Sequence, residues 1–166
     1  MNKLIQKFVD DGLFNETVGN AIDEAIQNGE SVIIAGHRSA GTRPLMANLM
    51  AVAKGSGKDT VQVRKMEDLD ATPDYFMTMG VPGAEYEEVV EKALSVPGAA
   101  LIAIKEPENP VSVIKVLKGI AKKGEVVPKV VNQVECDKED GVPYVKKFAI
   151  FTSTEDGKVK RGQLDF

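Results

Sequence analysis

The chain has 166 residues, and its 21 Lys and Arg against 25 Asp and Glu give a formal net charge of −4. Hydrophobic residues are 43% and charged residues 28%, which excludes a disordered chain, a collagen-like repeat and a coiled-coil rod. One cysteine excludes an intrachain disulfide framework and a multi-cysteine zinc site, and one histidine excludes paired-histidine metal motifs, so no metal site is expected.

Met1 to Gly12 carries charges throughout and lacks the apolar stretch of a leader peptide. Leu4, Ile5, Phe8 and Val9 fall on one face of a short helix that Gly12 stops. Asn15 is a good N-cap for a second helix to about Asn28, with Val18, Ala21, Ile22, Ala25 and Ile26 as its apolar stripe. Ser31-Val32-Ile33-Ile34-Ala35 is almost wholly apolar, as a central parallel strand requires. Gly36 to Thr42 is a loop of small residues, and Pro44 to Lys54 resumes helical spacing, with Pro44 tolerated in the first turn.

Gly55 to Asp59 reads as a surface turn and Thr60 to Val63 as a second strand. Glu67 to Gly83 reads as irregular; the methionines at 46, 50, 66, 77 and 79 read most simply as core fillers, with Met77-Thr78-Met79-Gly80 as a second option, an adaptable contact surface. Glu85 to Ser95 is a helix, Ala99 to Ile104 a third apolar strand, and Pro110 to Lys123 a helix. The period then changes. Val126 to Val134, Tyr144 to Thr152 and Lys158 to Phe166 alternate as strands, separated by Asp140-Gly141 and Asp156-Gly157, both strong hairpin signals. Cys136 falls in this strand pattern as a core or edge thiol. The expected fold class is α/β: a mostly parallel sheet with helices on both faces and an antiparallel C-terminal β-meander. No repeat or long linker interrupts it, so one domain spanning 1–166 is expected. No apolar run approaches the roughly 20 residues that cross a bilayer, so membrane insertion is not expected and the default compartment is the cytoplasm.

The charge is uneven, acidic before residue 115 and basic after it. Lys115, Lys118, Lys122 and Lys123 form a basic helical stretch without interleaved aromatics. Single-strand binding needs such stacking platforms, so a solvated surface is expected there and nucleic acid is not an expected partner.

One loop carries chemistry. A strand, a tight loop and a helix starting at the loop's last glycine form an anion site, because the helix N-terminus offers unpaired N–H groups and partial positive charge. Gly36-His37-Arg38-Ser39-Ala40-Gly41 supplies both glycines of the phosphate-loop pattern G-x-x-x-x-G-K-[ST]. Thr42 then stands in place of the lysine that meets the β- and γ-phosphates, and Arg43 in place of the hydroxyl that holds Mg²⁺. Two fates for Arg43 are open. With Arg38 it forms a cradle for an anion at the helix start, or it folds back onto Glu67 or Glu106 as an internal ion pair that fills the missing cation's place. His37 is expected as an exposed loop residue. Gly55-Ser56-Gly57-Lys58 has the composition of a phosphate loop, but it follows a helix and precedes a strand, the reverse of the order the motif requires.

With these landmarks in order, the chain resembles the RecA-like ATPase domain of type II and type IV secretion and pilus-assembly motors, nearest the tight-adherence pilus branch. Gly12-Leu13-Phe14 leads to the strand and the Gly36–Arg43 loop as in that family. Arg64-Lys65-Met66-Glu67-Asp68-Leu69-Asp70 is similar to its acidic box, and Leu101 to Glu106 to its Walker-B strand. Val131-Asn132-Gln133-Val134 with Asp140 to Val145 is similar to its closing hairpin. The resemblance puts the water-polarising glutamate at Glu67 and the Walker-B glutamate at Glu106, with Gly36, His37, Arg38, Ser39, Ala40, Gly41, Thr42 and Arg43 as the cofactor-binding loop. The family's lysine, hydroxyl and following arginine (here Glu108) are replaced, its histidine box has no counterpart in Gly119 to Val131, and the domain that precedes this one in the motors is not expected. Glu67 and Glu106 are then either a retained acidic pair or residues without a role. The resemblance implies a non-catalytic binding or regulatory module working with a protein partner in a pilus, secretion or conjugation machine. The alternative is a divergent NTPase that uses Thr42 or Arg43 for the lost groups. No cofactor is required on the first reading, and ATP, ADP or a phosphate or sulfate anion are the ligands that fit the loop.

Overall fold

The computed structural model describes residues 1–124 and 128–166. In chain order the elements are α1 (Lys3–Asp10), α2 (Glu16–Gln27), β1 (Ser31–Ala35), α3 (Thr42–Gly55), β2 (Thr60–Gln62), β3 (Tyr75–Thr78), α4 (Tyr86–Leu94), β4 (Ala100–Lys105), α5 (Val113–Lys122), β5 (Val130–Glu139), β6 (Val142–Ser153) and β7 (Val159–Gln163). Short 3-10 turns occupy Arg38–Ala40 and Met66–Asp70.

The seven strands form one sheet in the order β2-β3-β4-β1-β5-β6-β7. From β2 to β5 every neighbouring pair is parallel, and β5-β6-β7 are antiparallel. This is the α/β class expected from the sequence. Alternation along each strand sorts the core into two layers. Val32 and Ile34 of β1 pack with Ile5 of α1, Ile22 of α2 and Leu49 of α3. Ile33 faces the other way, with Val90 of α4 and Leu117 of α5. Because β1 is buried on both faces, it reads as continuous apolar sequence rather than as alternation.

Three of the helices, α1, α2 and α5, begin at side-chain caps. Asn2, Asn15 and Ser112 accept from the backbone N–H of Leu4, Val18 and Lys115 at 2.8, 3.1 and 3.3 Å, satisfying donors that the first helical turn leaves open. At the β5–β6 hairpin Asp140 and Gly141 have φ of 50° and 79°, the double positive-φ signature of a tight turn matched to strand twist.

Several expectations need correction. The segment read as irregular from Glu67 to Gly83 contains β3, whose four residues are all buried. Met77 is a core filler, as one of the two sequence readings has it, and Thr78 is buried beside it, so neither offers a contact surface; Met79, read as core, is exposed. The Tyr75 hydroxyl donates to Glu30 O at 2.6 Å and Ile26 O at 3.3 Å, tying β3 to the end of α2. α3 starts at Thr42, two residues before the expected Pro44, because a proline in a first turn forfeits an N–H that had no partner anyway. α5 starts at Val113 rather than Pro110. The first strand of the expected antiparallel meander, β5, also pairs parallel with β1 on its other side. It starts at Val130, and the expected start at Val126 falls outside the described residues. β7 ends at Gln163, short of Phe166.

Candidate functional site

β1 ends beside β4, with Ala35 in register with Lys105, and the Gly36 N–H donates to Lys105 O at 3.0 Å. That pairing brings the loop after β1 against Glu106, the first residue after β4. The loop opens at Gly36, whose φ is 144°. A Cβ there would lie 2.6 Å from the Cys136 carbonyl oxygen on β5, so β5 admits only a hydrogen at this point. At the far end Gly41 has φ 79° and turns the chain into α3.

Between the glycines the loop satisfies itself. The Ala40 N–H donates to His37 O at 2.8 Å, closing the 3-10 turn. The Ser39 N–H donates to His37 Nδ1 at 3.1 Å, with Ser39 Oγ 2.8 Å from the same nitrogen. His37 is exposed, as expected, but it serves as the cap of the loop's own turn. Arg38 is exposed, with no hydrogen bond or ion pair among the described residues. No side chain caps α3.

Arg43 has folded back. Its Nε and Nη2 donate to Glu106 Oε1 at 3.1 and 3.0 Å. The Glu106 side chain is 8% exposed and that of Arg43 43%. Of the two sequence alternatives, the structure contains the internal ion pair, and its acid is Glu106. Glu67 lies elsewhere, exposed on the 3-10 turn after β2, with β3 and β4 between that edge strand and β1. Its neighbour Asp68 accepts from the N–H groups of Arg64 and Lys65 at 2.9 and 3.1 Å. These bonds hold its carboxyl below the usual range, helped by the charges of Lys65 and Arg64. The acidic box thus builds a turn at the sheet edge.

Two features of the site were not read from the sequence. Thr42 is fully buried, and its Oγ1 has no hydrogen-bond partner, an uncommon condition for an interior hydroxyl. Tyr86, buried in the first turn of α4, donates its hydroxyl to Ile104 O just before Glu106; burial, against that bond, raises its pKa, and the charge of Glu106 adds to the rise. Its only sequence signal is its place at the start of an amphipathic helix. The Gly55–Lys58 string is a turn, as expected. Lys58 Nζ donates to Gln27 O at 3.2 Å and Gln27 Nε2 to Ser56 Oγ at 3.0 Å, which tethers it to α2. Among the described residues no three of His, Cys, Asp and Glu converge to hold a metal, and no helix is long and apolar enough to cross a membrane.

Among solved structures, the chain is similar to the VirB11 ATPase from the Brucella suis type IV secretion system, determined in complex with sulphate, at 14% sequence identity and a TM-score of 0.49. The match covers 95% of this chain and 60% of that one, so this chain spans less than two thirds of that ATPase. No protein-family model and no curated protein matches the sequence.

Proposed function

We propose that the chain is a non-catalytic, ATPase-like binding or regulatory module of a pilus, secretion or conjugation machine, working in the cytoplasm with a protein partner such as an active ATPase. The observation that carries the non-catalytic part is the Arg43–Glu106 pair. Phosphoryl transfer depends on cations positioned against the developing charge, and here the cation nearest the helix start is spent on a carboxylate. The lysine position holds Thr42, the Mg²⁺-hydroxyl position holds Arg43, and two loop N–H groups are used inside the loop. A magnesium triphosphate does not fit this set of residues. The machine and its partner follow from the sequence resemblance alone.

The test is steady-state ATP hydrolysis by the purified chain beside its E106Q variant, with and without a purified pilus or secretion ATPase. The expected result is no Mg-dependent turnover by the chain alone and a changed turnover of the added ATPase. Turnover by the chain alone that is lost in E106Q overturns the non-catalytic reading. Unchanged turnover of the added ATPase overturns the regulatory role.

One observation favours a second reading, a divergent nucleotide-binding NTPase. The orphaned Thr42 hydroxyl lies in the first turn of α3, where a ligand oxygen or an ion is a natural partner. That reading expects calorimetric heat with ATP and Mg²⁺ that T42A removes. The absence of heat at millimolar nucleotide ends it.

A further inference from the structure

The opposite face of the sheet holds a cavity of about 500 Å³ between the end of β4, β5, β7 and the start of α5. It is independent of the loop after β1, because α3 packs on the other layer. Its lining includes Lys105, Lys115, Arg161, Gln133 and one acid, Glu87.

Gln133 is the telling residue. It lies on β5 opposite Ile33 of β1 and Ala149 of β6, both of which belong to the apolar layer. It is 7% exposed, and its amide has no hydrogen-bond partner among the described residues. The amide is open to the cavity it lines, so it is free to bond a polar group that enters there.

The surrounding groups say what that group is. Arg161 is laid over the Phe151 ring, its Cζ 5.7 Å from the centroid, which holds the guanidinium at the mouth without an acid partner. Lys105 has no ion pair among the described residues. Burial lowers its pKa, and Glu135, on the same row across Ala35, pulls the other way. Lys115 pairs with Glu87 at 3.3 Å. The first turn of α5 contains no acidic residue, so its N-terminal dipole adds positive potential without competition from its own side chains.

We propose that this cavity binds the phosphate group of a small molecule, held by Lys105, Arg161 and the Gln133 amide at the start of α5. A guanidinium fork beside an ammonium and helix N–H groups suits a doubly charged tetrahedral oxyanion. The volume lies in the range of small-molecule sites and leaves room for an organic substituent beyond the phosphate.

The test is two-dimensional NMR of the full chain titrated with inorganic phosphate, pyrophosphate or AMP at constant ionic strength. The expected result is a saturable shift of the Gln133 side-chain amide and the Ile114 backbone amide. Affinity falls about tenfold or more in K105A and in R161A, the loss of one charge-assisted bond, and is unchanged in R43A. Tighter binding of AMP than of phosphate identifies an organic phosphate, and equal binding identifies the free anion. Q133L is the control for fold: it keeps a single cooperative unfolding transition and weakens the Ile114 response. Three results overturn the proposal: no saturable shift with any probe, shifts confined to 36–43, or binding retained in both K105A and R161A. Failure here leaves the reading of the Arg43–Glu106 loop intact, because R43A separates the two sites.

Discussion

Arg43 reaches Glu106 across the gap between α3 and the end of β4, placing two nitrogens on a single carboxylate oxygen. The carboxylate is almost wholly covered and the guanidinium only in part, so the two ends of the bond differ in what their loss costs. Arg43→Ala strands a covered charge. With the discount for the half-exposed arginine, the expected loss is about 1–3 kcal/mol. The double variant R43A/E106Q loses less than the sum of the single changes, with a coupling of about 1 kcal/mol or more. Urea unfolding of the four proteins in the cycle measures both. Strict additivity would mean the pair contributes nothing.

Gly36 is predicted to be irreplaceable for reasons that involve no ligand. Its φ of 144° and the Cys136 carbonyl 2.6 Å from a would-be Cβ both oppose a side chain. Gly36→Ala is expected to destabilise the fold by about 2–4 kcal/mol. Gly57→Ala in the surface turn has only its positive φ to oppose it, with open space around it, and costs about 1 kcal/mol. Thermal unfolding of the two variants side by side gives the comparison.

Lys129 supplies a pH dependence. It is 9% exposed, and its Nζ donates to Val96 O at 2.8 Å and to Ala99 O. Burial pushes the amine down to about 8 from an ordinary 10.5. Between those values the unfolded chain holds more protons than the folded one, so stability rises with pH across that window. Below it the folded state bears the full cost of a covered ammonium. The urea midpoint is expected to climb from pH 8 to 10.5 in the wild type and to climb less in Lys129→Met. Parallel curves for the two proteins would remove Lys129 as the cause.

Cys136 is 6% exposed on β5, and burial pushes its thiol up to about 12. Thiolate is the reactive form, so at pH 8 the native protein should react with a disulfide reagent roughly 100–1000-fold more slowly than the urea-unfolded chain. Comparable rates in the two states would show that β5 opens freely beside the Gly36 loop.

Much of this architecture was legible because its signals are local. Asn15, Gly41 and Asp140-Gly141 declare a cap, a left-handed residue and a hairpin within a few positions of chain. β3 was hidden because Tyr75 to Thr78 is short, sits close to two prolines and, buried on both faces, shows no alternation. For the site, the loop and its two glycines were readable. The choice of Glu106 over Glu67 as the arginine's partner was not, since it depends on β4 and not β2 lying next to β1. The Gln133 cavity was invisible for the same reason. Lys105, Gln133 and Arg161 are far apart in sequence and meet only through sheet order.

That order also governs how the chain must come together during synthesis. β1 is flanked by β4 on one side and β5 on the other, and Ser31 waits for Val131 to leave the ribosome. Until then the middle strand of the finished sheet is an open border, apolar and unpaired, of the kind that recruits other chains. Pairings this distant in sequence close slowly. A nascent chain of this protein is therefore expected to need shelter from a chaperone until its last third emerges.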